Sequence, residues 1–190
     1  VLGQRTGMKN DDNGLQTERQ PGPLVLLLGG RVEQYYALIN PVPVGGQFGD
    51  NTSKLWAELL STSSPDTEVL ETYEKSNGWL DGKPAIITRK VGKGSITYVG
   101  VWMDEVGMAK LAKWMTDMSG ITPAFGLVPA GVEVNARYGN DHNVFILINF
   151  SQGPQTVKLP STMQDVLQNG SVQSVTLPRY GVSVLSESKQ

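Results

Sequence analysis

Residues 78–120 constrain the fold more than any other stretch: GWLDGKPAIITRKVGKGSITYVGVWMDEVGMAKLAKWMTDMSG. Two apolar runs, 84–88 and 96–101, flank the turn Val91-Gly92-Lys93-Gly94. Val, Ile, Thr and Tyr fill the runs and Gly and Lys fill the turn, which is the composition of a β-hairpin. A helix signal follows at once. Asp104 suits an N-cap, Glu105 puts negative charge in the first turn, and Gly120 closes the far end. Met108, Leu111, Ala112, Met115 and Met118 recur at helical spacing and predict the buried face. Hairpin followed by amphipathic helix is a unit of an α/β layer, so the first part of the chain is expected to be α/β.

The 190 residues are 39% hydrophobic and 18% charged, enough for one domain or two small ones with a real core. Lys and Arg number 16 against 18 Asp and Glu, and no basic block occurs, which argues against nucleic acid and anionic membrane as partners. The absence of Cys excludes disulfides, thiol nucleophiles and zinc–thiolate sites. No apolar run approaches the roughly 20 residues of a spanning helix. The first residue is Val and no signal-peptide pattern opens the chain, so a trimmed or processed piece of a longer protein is expected, cytoplasmic, with secretion the alternative.

Residues 1–20 are polar and loop-like. Pro21 and Pro23 precede the apolar segment 24–28, which ends at Gly29-Gly30 and suits one short helix, and a buried strand fits the run as well. Residues 31–38, 55–60 and 68–73 are candidate strands, and the Pro/Gly-rich 41–50 reads as a loop. Residues 121–129 hold two prolines and a glycine, and a boundary is placed there, giving domains 1–125 and 126–190. Beyond it, short apolar runs at 132–136, 144–150, 156–159, 172–177 and 182–185 alternate with Gly, Asn, Pro and Ser clusters, the pattern of a small all-β antiparallel sandwich or barrel, and the sandwich is expected.

Several residues invite a chemical reading. Glu68, Glu71 and Glu74 form an acidic group, but glycoside hydrolysis needs two carboxylates about 5–10 Å apart across a sugar site, and solvated surface charge explains them better. His142 is the lone histidine, in the turn 139–143, with neither a nucleophile nor further ligands placed around it. Gly92-Lys93-Gly94-Ser95 lacks the upstream glycine and following helix of a phosphate loop and reads as a hairpin turn. Of Trp56, Trp79, Trp102 and Trp114, the last falls near the apolar face of the helix, while Trp79, in the turn-rich 76–82, is the most plausible exposed ring. Asn51, Asn149 and Asn169 each open an Asn-X-Ser/Thr triplet. No metal ligand set and no cofactor site emerges.

Five segments carry a family resemblance: VLGQRTGMKND, PGPLVLLLGGRVEQYYAL and SNGWLDGKPAIITRKVGKGSITYVG, then GVEVNARYGNDHNVFILINFS and LPRYGVSVL. The first three resemble the trimerisation domain of family 42 β-galactosidases, and the last two resemble that family's small C-terminal β domain, in the family's order. The resemblance implies a partial flavodoxin-like, glutamine-amidotransferase-like layer over 1–125 with its first strands absent. Residues 1–3 would then end a strand whose partners lie upstream. Active members of the amidotransferase fold use a Cys nucleophile, which excludes that chemistry here. The family's (β/α)8 catalytic barrel has no counterpart in this sequence. The chain is therefore expected to be a non-catalytic assembly portion of a retaining enzyme for terminal β-D-galactosides. Its partners would be itself, as a homotrimer, and the barrel, with galactoside reached only through the parent. The alternative is a free-standing carbohydrate-binding or interaction module, with Trp79 and neighbouring Asp81 in contact with sugar.

Overall fold

The computed structural model describes residues 1–123 and 125–189, and the chain divides into two compact units, Val1–Met118 and Ser119–Gln190. Residue 124, inside the expected boundary 121–129, lies outside the described residues. A single 3-10 turn (Gly22–Leu24) leads into α1 (Val25–Leu28). Strands β1 (Gly30–Ala37), β2 (Val42–Gly46), β3 (Asn51–Thr62), β4 (Thr67–Tyr73), β5 (Pro84–Val91), β6 (Gly94–Val99) and β7 (Val101–Met103) follow, and then α2 (Glu105–Ser119). The sheet order is β1-β3-β2-β4-β5-β6. Gly100 carries β6 into β7, which pairs back onto β3, so the path closes into a ring around its own core. Val44, Ala57, Tyr73, Leu80, Ile86 and Val101 fill that ring.

The 91–94 turn is a hairpin turn, with Val91 paired to Gly94 and Gly92 in the left-handed region at φ 57°. Every ladder between strands of this unit is antiparallel. The parallel, flavodoxin-like layer implied by the resemblance is therefore corrected to a mostly antiparallel sheet with one long helix. The one parallel contact is an isolated bridge from Leu2 to Tyr98 on β6. The apolar runs of β5 and β6 resemble buried parallel strands for a physical reason: both of their faces are covered. Ile86 and Val99 face the ring core, while Ile87 and Tyr98 pack with Leu28, Val32 and Leu60 on the other side. The loop expected at 41–50 contains β2, whose Val42 and Val44 are core residues hidden between Pro and Gly.

Helix α2 starts as predicted. Asp104 Oδ1 accepts the Gly107 N–H at 2.9 Å, and Oδ2 accepts both the N–H and the hydroxyl of Thr52 at 3.0 Å. These donors hold the Asp104 carboxyl below its ordinary range, the Gly107 N–H first. The buried face, however, is turned from the expected one. Gly107 and Leu111 are buried, with Trp114 and Met115 against the core, while Met108 and Met118 are exposed. Gly107 lies close against the sheet on this face: a Cβ there would stand 2.9 Å from the Met103 methyl and 3.0 Å from Asn51. No helix among the described residues is long and apolar enough to cross a membrane.

The second unit comprises β8 (Val132–Tyr138), β9 (His142–Asn149), β10 (Gln155–Asp165), β11 (Gly170–Leu177) and β12 (Val182–Ser188). They form one antiparallel sheet in the order β11-β10-β12-β9-β8; of the two arrangements the spacing allows, sandwich or barrel, the expected sandwich is not the one formed. The pairing of β10 with β11 breaks between Lys158 and Met163, and Phe145, Leu147, Val157, Leu177 and Leu185 share one core cluster, so the sheet curls on itself. Asn149 pins a corner: its Nδ2 donates to the carbonyls of Gly153, Leu177 and Pro178 at 2.8 to 3.1 Å.

Replacing Asp104 with Ala removes an N-cap and the acceptor of two Thr52 donors. The Asp104→Ala chain should lose about 1–2 kcal/mol of stability in urea unfolding, with an unchanged m-value.

Candidate binding surface around Trp79 and its supporting carboxylates

The turn 76–82 is held from both ends. Leu80 is fully buried in the ring core. Tyr73 accepts the Gly82 N–H at its carbonyl and donates its own N–H to Lys83. With Leu80 pulled inward, Trp79 turns outward, 42% exposed, its ring tilted at 56° against Tyr36 with centroids 4.0 Å apart. Trp79 borders a groove of about 350 Å³ lined also by Leu38, Ile39, Asn40, Pro41, Ser76 and Asn77, among others. Asp81 does not border it. Its Oδ1 accepts the N–H groups of Ser76 and Asn77 at 2.9 and 3.2 Å, and these bonds, led by that of Ser76, hold its carboxyl below the usual range. Asp81 shapes the turn that presents Trp79.

The acidic group expected on the surface is divided by the structure. Glu71 is fully buried, which corrects the reading of it as solvated charge. Irregular pairing of β4 with β5 on either side of Glu71 swings it inward. There Oε1 accepts the Phe48 N–H at 2.6 Å and Oε2 accepts Asn51 Nδ2 at 3.0 Å. Burial pushes its carboxyl up, against the pull of those two donors and of the Lys110 ammonium.

A second buried glutamate carried no signal in the sequence. Glu58 accepts the Arg5 N–H at 3.2 Å, Trp56 Nε1 at 2.9 Å and the Tyr98 hydroxyl at 2.8 Å. Burial raises its carboxyl, and the proximity of that charge with burial raises Tyr98 as well. The Arg5 guanidinium lies over the Trp56 ring at 4.5 Å, and Trp56 stacks on Tyr35 at 5.1 Å. Glu58 is fully buried and ties the amino-terminal segment to β3 and β6.

The remaining candidates fall apart in space. His142 begins β9, opposite Ser188. Among the described residues no group of three or more His, Asp and Glu side chains could hold a metal ion. Asn51 and Asn149 are buried and hydrogen-bonded, which closes two of the three Asn-X-Ser/Thr triplets to modification, while Asn169 lies exposed in the β10–β11 turn.

The surface around Trp79 brings together an aromatic platform and the polar groups of Asn40, Ser76 and Asn77. The chain belongs to a β-galactosidase domain family: residues 1–122 match the model of the β-galactosidase trimerisation domain, and residues 131–187 match that of the β-galactosidase C-terminal domain. It is 29% identical to the β-galactosidase Bga of Halorubrum lacusprofundi over 97% of this chain, and 30% identical to the β-galactosidase BgaH of Haloferax lucentense over 90%. It covers only 29% and 25% of those two proteins. The solved Halorubrum lacusprofundi β-galactosidase superposes with a TM-score of 0.72, covering 97% of this chain and 26% of that one. Gan42B, a GH42 β-galactosidase from G. stearothermophilus, shares the fold at a TM-score of 0.86 and 18% identity, covering 100% of this chain and 28% of that one.

The raised carboxyl of Glu71 has a signed consequence. A folded-state value above the unfolded one contributes stability that is full below the ordinary glutamate value of about 4.3 and is lost as pH rises through the raised value. The stability of Glu71→Gln relative to the parent chain should therefore climb from pH 4 towards pH 7, as measured by urea unfolding across that range.

Proposed function

We propose that this chain is the assembly portion of a β-galactosidase. Residues 1–125 serve trimerisation and 126–190 form the C-terminal domain. In the full protein, hydrolysis of terminal β-D-galactosides with retention takes place on a catalytic barrel outside these residues. The observation that supports this most is the order of the two family matches along one chain that spans about a quarter of its relatives. Physically, the role is to hold copies together so that each barrel is stabilised by its neighbours. A closed ring stiffened by two buried carboxylates suits such a role, because a contact surface works best on a frame that does not deform on binding.

Light scattering on a sizing column tests the reading. A mass near three times 20.6 kDa is expected for the purified chain. A monomer at every concentration overturns the claim that these residues carry the contact.

A second reading is favoured by the half-exposed Trp79 ring beside Asn40, Ser76 and Asn77. Flat aromatic faces and planar amides are the groups that hold a sugar ring, and the groove has room for a monosaccharide. In this reading the groove takes a galactoside. Calorimetry with millimolar lactose should then give heat that Trp79→Ala abolishes, and no heat with the parent chain overturns it.

A further inference from the structure

The sheet of the second unit is split along part of its length. Strands β10 and β12 pair at two places, Gln164 with Ser186 and Asp165 with Leu185, and their facing edges carry no ladder beyond them. On its other side β10 loses β11 between Lys158 and Met163, where Pro160 has no N–H to give. A cleft of about 700 Å³ opens at this split. Residues 161–164 and 186–189 all line it, although neighbours along a strand point to opposite faces, so the cleft runs between the strands and not over one face. Ser161 Oγ spans it and donates to Glu187 Oε1 at 2.6 Å, which leaves no width for a third backbone between the two strands.

The polar groups on the walls are only partly used. Asn143 stands directly opposite Glu187 in the register of β9 and β12, and its buried Oδ1 has no donor among the described residues. Ser161 occupies one oxygen of Glu187 and leaves the other. The hydroxyls of Ser186 and Ser188 have no partner among the described residues. Charge in the cleft balances, with Glu187 against Lys189, whose Nζ donates to the Gly139 carbonyl at 2.6 Å. Tyr138 of β8 stands opposite Asn143 on its other side and is 65% exposed.

We propose that this cleft binds a neutral oligosaccharide of two or three rings. Hydroxyl groups meet every free wall group, because each can donate to Asn143 Oδ1 or Glu187 and accept from Ser186 or Ser188. An ammonium or guanidinium group donates but cannot accept, and a phosphate or carboxylate would face the charge of Glu187. Neighbouring hydroxyls of one sugar suit the acceptor pair Asn143 and Glu187, since residues so paired across strands hold their Cβ atoms about 5 Å apart. The Tyr138 ring, one strand away, offers an apolar face to the C–H side of a sugar. The cleft has twice the volume of the Trp79 groove, so it takes more than a single ring. It lies wholly in the second unit, apart from both the assembly role and the Trp79 groove.

The test is a titration of the amide resonances of the isotope-labelled 190-residue chain with maltotriose and with cellotriose, neither of which contains galactose. Saturable shifts at 143, 161–164 and 186–189 are expected with at least one of the two. Asn143→Val suits a strand and removes the unpartnered carboxamide, while Glu187→Gln keeps an acceptor for Ser161 and removes the charge. Each should weaken the binding at least fivefold and unfold as cooperatively as the parent. No saturation with either sugar, shifts matched by glycerol at the same hydroxyl concentration, or shifts confined to the Trp79 turn overturn the proposal. Binding that both variants keep in full overturns it too.

Discussion

One buried carboxylate holds the first unit together. Glu58 sits on β3, with its side chain closing the donors of Arg5, Trp56 and Tyr98. Its backbone N–H reaches Gly100 at 2.8 Å, and its carbonyl accepts the Tyr73 hydroxyl at 2.9 Å. The amino-terminal segment, β3, β4, β6 and the β6–β7 joint therefore all meet at one residue. Desolvation disfavours the charge, and three donors offset that cost only because each is aimed at it. The same geometry leaves little room at Gly100, where a Cβ would stand 3.0 Å from the Ala85 carbonyl and 3.2 Å from Leu60. Ring closure runs through this joint, because β6 passes into β7 at Gly100 and β7 pairs back onto β3.

Glu71 plays a similar part under α2. It ties the Phe48 N–H and Asn51 together at the point where Gly107 lets the helix approach. Trp114 then meets Phe48 edge to face at 5.7 Å. The two glutamates replace backbone pairing where the ring's strands bend and shift register. This frame presents the Trp79 groove on one turn, on a rigid support.

Much of the secondary structure was legible. The 91–94 hairpin turn, the Asp104 cap and the strands of the second unit all follow from turn chemistry and short-range pattern, which act within a few residues. The site was less legible. Trp79 could be picked out because turn residues surround it, but Asp81 could not be separated from it, since a carboxylate that holds a turn and one that awaits a ligand read alike. Glu58 stands in a run of apolar residues with nothing to distinguish it, and its partners lie 53, 2 and 40 positions away. Glu71 looked like surface charge because its burial comes from irregular pairing, which no local pattern encodes.

By itself the sequence determined the membership of the family, the order of its two domains, the local hairpins and the start of the long helix, all carried by residues near one another in the chain. Tertiary structure alone decided that the strands pair antiparallel and close into a ring, that the helix buries Gly107 and Leu111 and leaves Met108 out, and that two glutamates go inside. Those outcomes depend on which distant segments meet. A charge is tolerated in a core only where donors converge on it, and here those donors come from segments far apart in the chain.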